Sequence, residues 1–266
     1  MRIQLFGCLI VATLLAGLAL ANPPSYLTQK MIDNYYGETT EEEIQTPDLL
    51  RQFAGESRLQ YLLRRDGLTA SLLVGKIVEK NPSFSDKQAY DEAWRTARTN
   101  RNSYIEIYEE TIEIVPFEEL SETRLENILR LDGQIASDIV NTVVKWGPHL
   151  SDSEAYDIAK TIARYSRMHN LRPDVVVALI RVESNFHIHC SSRTNDHGLM
   201  QVHGKRVYGI EENIAHGTDE LGWRLQGKNG DYRAALAGYN GGTKPPAVSW
   251  RYADRVLSLA KQVFPS

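Results

Sequence analysis

Apolar residues recur at helical spacing through most of this chain from residue 47 on. Ser57-Arg58-Leu59-Gln60 and Ser85-Asp86-Lys87-Gln88 each set a serine three residues before a glutamine, the pattern in which side chain and backbone cap each other at a helix start. The second leads into Ala89, Ala93, Trp94 and Ala97 on one face. Leu125, Ile128, Leu129, Ile135, Ile139, Val143 and Trp146 continue the habit. After a break at Trp146-Gly147-Pro148-His149, the box Ser151-Asp152-Ser153-Glu154 opens a helix whose face is Ala155, Ile158, Ala159, Ile162 and Tyr165. Two stretches are ambiguous. Residues 105–115 alternate like a strand yet fit a helix about as well, and are assigned to helix. Residues 23–46, with Pro23-Pro24, three tyrosines and Glu41-Glu42-Glu43, read either as a first helix capped by Thr39 or as an arm. The expected fold class is all-α.

Within that pattern residues 172–201 stand out. Pro173 suits a first helical position and Asp174 a first turn. Val176, Leu179, Ile180 and Glu183 then follow at i, i+3, i+4 and i+7, so a core-facing stripe ends in a carboxylate. A carboxyl buried without a partner is costly to ionise; its pKa rises and it keeps a proton near neutral pH, as a general acid must. Glu183 is the catalytic candidate. The plain alternative is a glutamate that caps the helix or pairs with an arginine. Further on, residues 231–239 are alanine-rich and stop at Asn240-Gly241-Gly242, and a final helix is expected over 250–263.

Glu183 is followed by Ser184, Asn185 and Phe186, then Ser192, then Gly198-Leu199-Met200-Gln201, and later Ala237-Gly238-Tyr239-Asn240. This ordered set resembles the soluble lytic transglycosylase family, whose catalytic domain is related to goose-type lysozyme. The resemblance covers about the last 120 residues. Glu211-Glu212-Asn213-Ile214 with Gly217 is similar to the family's Asn-Ile segment. Tyr252 and Arg255 fall in a pattern like its closing helix. There are departures: Asn195-Asp196 stands where the family commonly has Gly-Ala, and Gly238 where it has alanine.

The resemblance implies a lysozyme-like helical domain that cleaves peptidoglycan with one acid. Ordinary glycosidases need a second carboxylate, but a substrate that assists its own cleavage is a recognised exception. In the family, the 2-acetamido group of N-acetylmuramic acid stabilises the sugar centre. The same glutamate, now ionised, then takes the proton of the sugar's 6-hydroxyl, which closes a 1,6-anhydro ring. On this resemblance Ser192 and Gln201 donate hydrogen bonds to the sugar, Met200 lines its apolar face and Tyr239 places a hydroxyl near Glu183. Ser184, Phe186, Gly198 and Asn240 support the site. His197 and His203 are expected along the cleft. Asp196 is the nearest candidate for a second carboxylate, with a loop or capping role as its plain reading.

No cofactor and no metal are expected. His187, His189 and Cys190 alternate without a defined third partner, which is not a zinc spacing. Arg2, the apolar run over residues 3–20 and Ala19-Leu20-Ala21 read as a signal peptide ending at residue 21, with a membrane anchor as the competing reading; export across the inner membrane to the periplasm follows. Its removal takes Cys8 and leaves Cys190 alone, so no internal disulfide forms, and Cys190 is expected as a buried packing thiol. Residues 22–145 hold 14 basic against 22 acidic side chains and the remainder, from residue 146, 15 against 12, so the half with the motifs is mildly basic. Neither half has the dense basic stripe of a nucleic-acid binder. The expected organisation is a signal over 1–21, a helical accessory domain over 22–146 and the catalytic domain over 147–266. The partner is the peptidoglycan strand; an envelope protein is open as a partner for the accessory region, and the oligomeric state is not legible. Two rival functions remain, a hydrolytic lysozyme and a scaffold that binds peptidoglycan without turnover.

Overall fold

The computed structural model describes residues 55–99, 124–204, 207 and 209–264. The signal-like run with Cys8, residues 23–46 and the ambiguous stretch 105–115 lie outside them. Among the described residues there are eight helices and one two-stranded hairpin, so the all-α expectation holds. None of these helices is long and apolar enough to cross a membrane.

Helices α1 (Arg58–Lys80), α2 (Asp86–Thr99) and α3 (Arg124–Trp146) form the first group. The expected caps are present. Gln60 N–H donates to the Ser57 hydroxyl (3.2 Å) and Ser57 N–H to Gln60 Oε1 (3.0 Å), with the same exchange between Ser85 and Gln88. α1 and α3 run antiparallel, Ser57 meeting Asn141 at one end and Gly75 lying beside Glu126 at the other. They cross at Gly67 and Gly133, where a methyl group on Gly67 would lie 2.5 Å from the Gly133 Cα. Only glycine permits backbones this close.

Polar groups buried around that crossing are tied together. Trp94 Nε1–H donates to the Tyr156 hydroxyl (3.0 Å), which donates to Asp66 (2.6 Å). Arg167 donates twice to Asp132 (2.8 and 2.9 Å) and Tyr90 donates to the same carboxylate (3.0 Å). Asp66 and Asp132 have no exposed surface, so partners of this kind are what make their burial tolerable.

α4 (Asp152–Met168) carries Tyr156 and Arg167 and joins the first group to the second. Its own box is intact, Glu154 N–H donating to the Ser151 hydroxyl and Ser151 N–H to Glu154. α5 (Pro173–Glu183) lies inside, packed by α3, α4 and α8 (Ala247–Ala260). α6 (Ile210–Gln226) and α7 (Tyr232–Gly241) complete the shell, with β1 (Asp196–His197) and β2 (Val202–His203) between α5 and α6. One apolar core runs from Leu63 on α1 to Val263 after α8 and passes through Trp146, where the sequence breaks between its halves. The final helix starts earlier than its pattern suggests, because Pro246 supplies the N-cap position and fixes the start at Ala247.

Candidate active site

Residues 175–180 of α5 have no exposed surface, and a helix apolar on every side is a helix enclosed by others. Its last turn brings Glu183 out of the core to a half-buried position. The Tyr252 hydroxyl on α8 donates to Glu183 Oε1. Burial pushes the Glu183 carboxyl up to about 7; the Tyr252 bond favours the ionised form and opposes the rise, while the charges of Asp196 and Glu220 add to it. Both of those charges are acidic and act with burial in favour of the proton, against the Tyr252 bond. Burial and the neighbouring glutamate push the Tyr252 phenol well above its usual range, which keeps it a donor.

The chain leaves the helix abruptly. Ser184 caps it, its hydroxyl donating to the Ile180 carbonyl (3.2 Å), and Asn185 and Phe186 both take left-handed backbone (φ 53° and 63°). Phe186 is fully buried. The hairpin then pairs Asp196 with His203 and His197 with Val202. At its tip Gly198 (φ 76°) passes so close to Asn213 that a methyl group would lie 2.2 Å from Nδ2. Asn213, fully buried on α6, holds this tip by three bonds of 2.8 Å: Oδ1 accepts from Met200 N–H, and Nδ2 donates to the carbonyls of His197 and Val207. The Tyr239 hydroxyl on α7 donates to the Met200 carbonyl (2.8 Å). Burial, then the charges of Glu183 and Glu220, hold that phenol well above its usual range, so it too stays protonated beside the glutamate.

A scan of the chain against protein families matches residues 160–255, from the middle of α4 into α8, to the Transglycosylase SLT domain. That stretch is an SLT domain. It belongs to the lysozyme-like lytic transglycosylases, whose general function is to cleave peptidoglycan. No curated protein and no solved structure matches the chain.

Within the SLT domain the structure gathers Glu183, Tyr239 and the hairpin at one end of α5, but it uses several of their polar groups internally. The Ser192 hydroxyl donates to Asp196 (2.7 Å) and accepts from the N–H groups of Thr194 (3.1 Å) and Asp196 (3.0 Å). Gln201 Nε2 donates to the carbonyls of Gly198 (2.9 Å) and Cys190 (3.3 Å). Met200 is fully buried, its side chain against Gly217, where a methyl group would lie 2.6 Å from Sδ. It meets the site through its carbonyl, which Tyr239 holds. Asn240 Oδ1 accepts from the Ser249 hydroxyl (2.8 Å), which ties the end of α7 to α8. His197 is buried rather than facing the cleft. Its ring bridges Ser191 and Asn195 (both 3.0 Å). Cys190 is half-buried rather than enclosed, and its carbonyl accepts from Gln201 Nε2 and Gly198 N–H of the hairpin.

Asp196 accepts from Ser192, Thr194 and His203 Nδ1 (2.8 Å). Burial works against its ionisation, but these donors outweigh it and hold the carboxyl below its usual range. The SLT domain therefore sets an ionised aspartate within electrostatic reach of a protonated glutamate. Reading the sequence left Tyr252 and Asn213 without roles, although both fall in segments that resemble the family. Glu220 was not singled out at all. Its only trace is the i, i+4 spacing to Arg224, with which it pairs at 2.8 Å.

Proposed function

We propose that this chain is a peptidoglycan lytic transglycosylase in which Glu183 acts first as acid and then as base. The observation that carries the reading is the Glu183 carboxyl itself, half-buried at the end of an apolar helix, given one phenolic donor by Tyr252 and, among the described residues, the acidic charges of Asp196 and Glu220. In the reaction the protonated carboxyl gives its proton to the oxygen of the β-1,4 bond between N-acetylmuramic acid and N-acetylglucosamine, and that bond breaks. The 2-acetamido group stabilises the electron-poor C1. The Glu183 carboxylate then takes the proton of the 6-hydroxyl as O6 bonds to C1. No water is consumed, and the glutamate ends protonated as it began. Ser192, Met200, Gln201 and Tyr239 form the sugar subsite in this reading, the first three through a hairpin whose shape they fix. Residues 22–146 serve as the accessory domain and residues 1–21 as the export signal.

The test is the mass of a murein digest. Anhydro ends, one water lighter than hydrolysed ends, are expected from the native chain, and Glu183→Gln should fold yet lose at least about a hundredfold in rate. A second reading, a hydrolytic lysozyme, draws on Asp196, the ionised carboxylate near Glu183. It is supported if native digests carry reducing ends that disappear in Asp196→Asn.

A further inference from the structure

The turn that follows Glu183 is held from outside the family-matched residues. The connector between α3 and α4 grips both sides of the glutamate. Arg181 donates to the Trp146 carbonyl (2.8 Å) before it, and His149 Nε2 contacts the Phe186 carbonyl (3.1 Å) after it. Gly147 makes room for this, since a methyl group there would lie 3.0 Å from Phe186 Cβ. His187 returns to the same turn, its Nδ1 on the Ser184 carbonyl at 3.0 Å. The two imidazole rings then stack, centroids 4.1 Å apart and planes 19° from parallel. A carbonyl can only accept, so His149 carries its proton on Nε2 and His187 on Nδ1.

What they hold needs holding. Two consecutive non-glycine residues in left-handed backbone, one of them phenylalanine, are strained and persist only where the surroundings over-determine them. Asn185 is exposed and offers no packing of its own. Phe186 supplies the buried ring, and the carbonyls on either side of Asn185 take the two histidine bonds.

We propose that His149 and His187 are positioning residues, a stacked clamp that fixes the left-handed turn after Glu183 and so keeps its carboxyl in its half-buried place at the end of α5. The proposal rests on the reading of Glu183 as the acid, but its decisive measurement does not require turnover. His149 lies in the connector, before residue 160, where the matched domain begins.

The experiment uses the full chain with labelled glutamate. The Glu183 carboxyl signal is assigned by its loss in Glu183→Gln and titrated by carbon NMR in the native chain, His149→Ala and His187→Ala. A loosened turn lets water reach the carboxyl, so its titration should move down toward that of an ordinary glutamate. On murein, kcat should fall roughly ten- to a hundredfold with KM unchanged. His149→Gln and His187→Asn return an N–H near the lost position and should restore most of both. An unmoved titration in the alanine variants overturns the clamp, as does failure of both restoring variants. If the alanine variants do not fold, the restoring variants decide alone: a native titration supports the clamp and an ordinary one overturns it. A native chain that releases no product from murein counts against the enzymatic reading only, and the titration still decides the clamp.

Discussion

Two carboxylates buried in this molecule are treated in different ways. Asp132, where α3 meets α2 and α4, has no exposed surface, two N–H bonds from Arg167 and a phenol from Tyr90. Glu183, at the end of α5, has one phenol from Tyr252 and feels the charges of Asp196 and Glu220, both acidic. The first arrangement supplies an arginine and fixes helices to one another. The second has no ion pair among the described residues, and burial with the nearby acidic charges holds its proton. Burial raises the pKa of both carboxyls, and what separates them is the partner: among the described residues Asp132 has an arginine and Glu183 only a phenol.

The contrast can be broken from either side. Asp132→Ala should cost the most, about 3–5 kcal/mol of stability, because it breaks a bidentate ion pair with Arg167 in a mostly buried place. Thermal melting measures it, and a shift of only a few degrees would place the brace elsewhere. Glu183→Gln should do the reverse. The folded carboxyl titrates near 7 and the unfolded one near 4.5, so both are protonated below 4.5 and the folded state carries no penalty there. Between those values the unfolded chain releases its proton first, and above 7 the penalty is complete. The glutamine variant should match the native chain at pH 4 and exceed it at pH 8 by no more than about 3 kcal/mol. Equal stability at both values would mean that burial does not hold the proton. Tyr252→Phe should have the smallest effect. It removes the donor that favours the ionised form, so the upper limb of the pH–rate profile should move to higher pH, with about 1 kcal/mol lost in melting. A limb that stays or moves down would remove Tyr252 from the control of Glu183.

These residues also show where sequence legibility ends. Ser57, Ser85 and Ser151 were readable as helix starts because cap and partner lie three residues apart. Glu183 was readable because an apolar stripe ends on it. The partner of Glu183 was not, since Tyr252 lies 69 residues away and nothing in its local pattern points back. Nor could the crossing of Gly67 with Gly133 be seen, each being a lone glycine in a helix until the two are placed together. The hairpin escaped because strands of two residues have no period to detect. The roles of Ser192 and Gln201 were expected in contacts with sugar. Their donors are instead found inside the loop, a distinction that depends on loop conformation and not on residue type.

The Asn213 side chain has a consequence for chemical ageing. Its amide puts one oxygen on a backbone N–H and one nitrogen on two carbonyls, and the tip of the hairpin depends on that polarity. Hydrolysis of the amide to aspartate would change neither shape nor volume appreciably, yet it would turn the nitrogen that holds two carbonyl oxygens into an oxygen that repels them. Packing alone would not register the lesion. The turn that presents Met200 to Tyr239 would come unlatched while the helices around it stayed as they were.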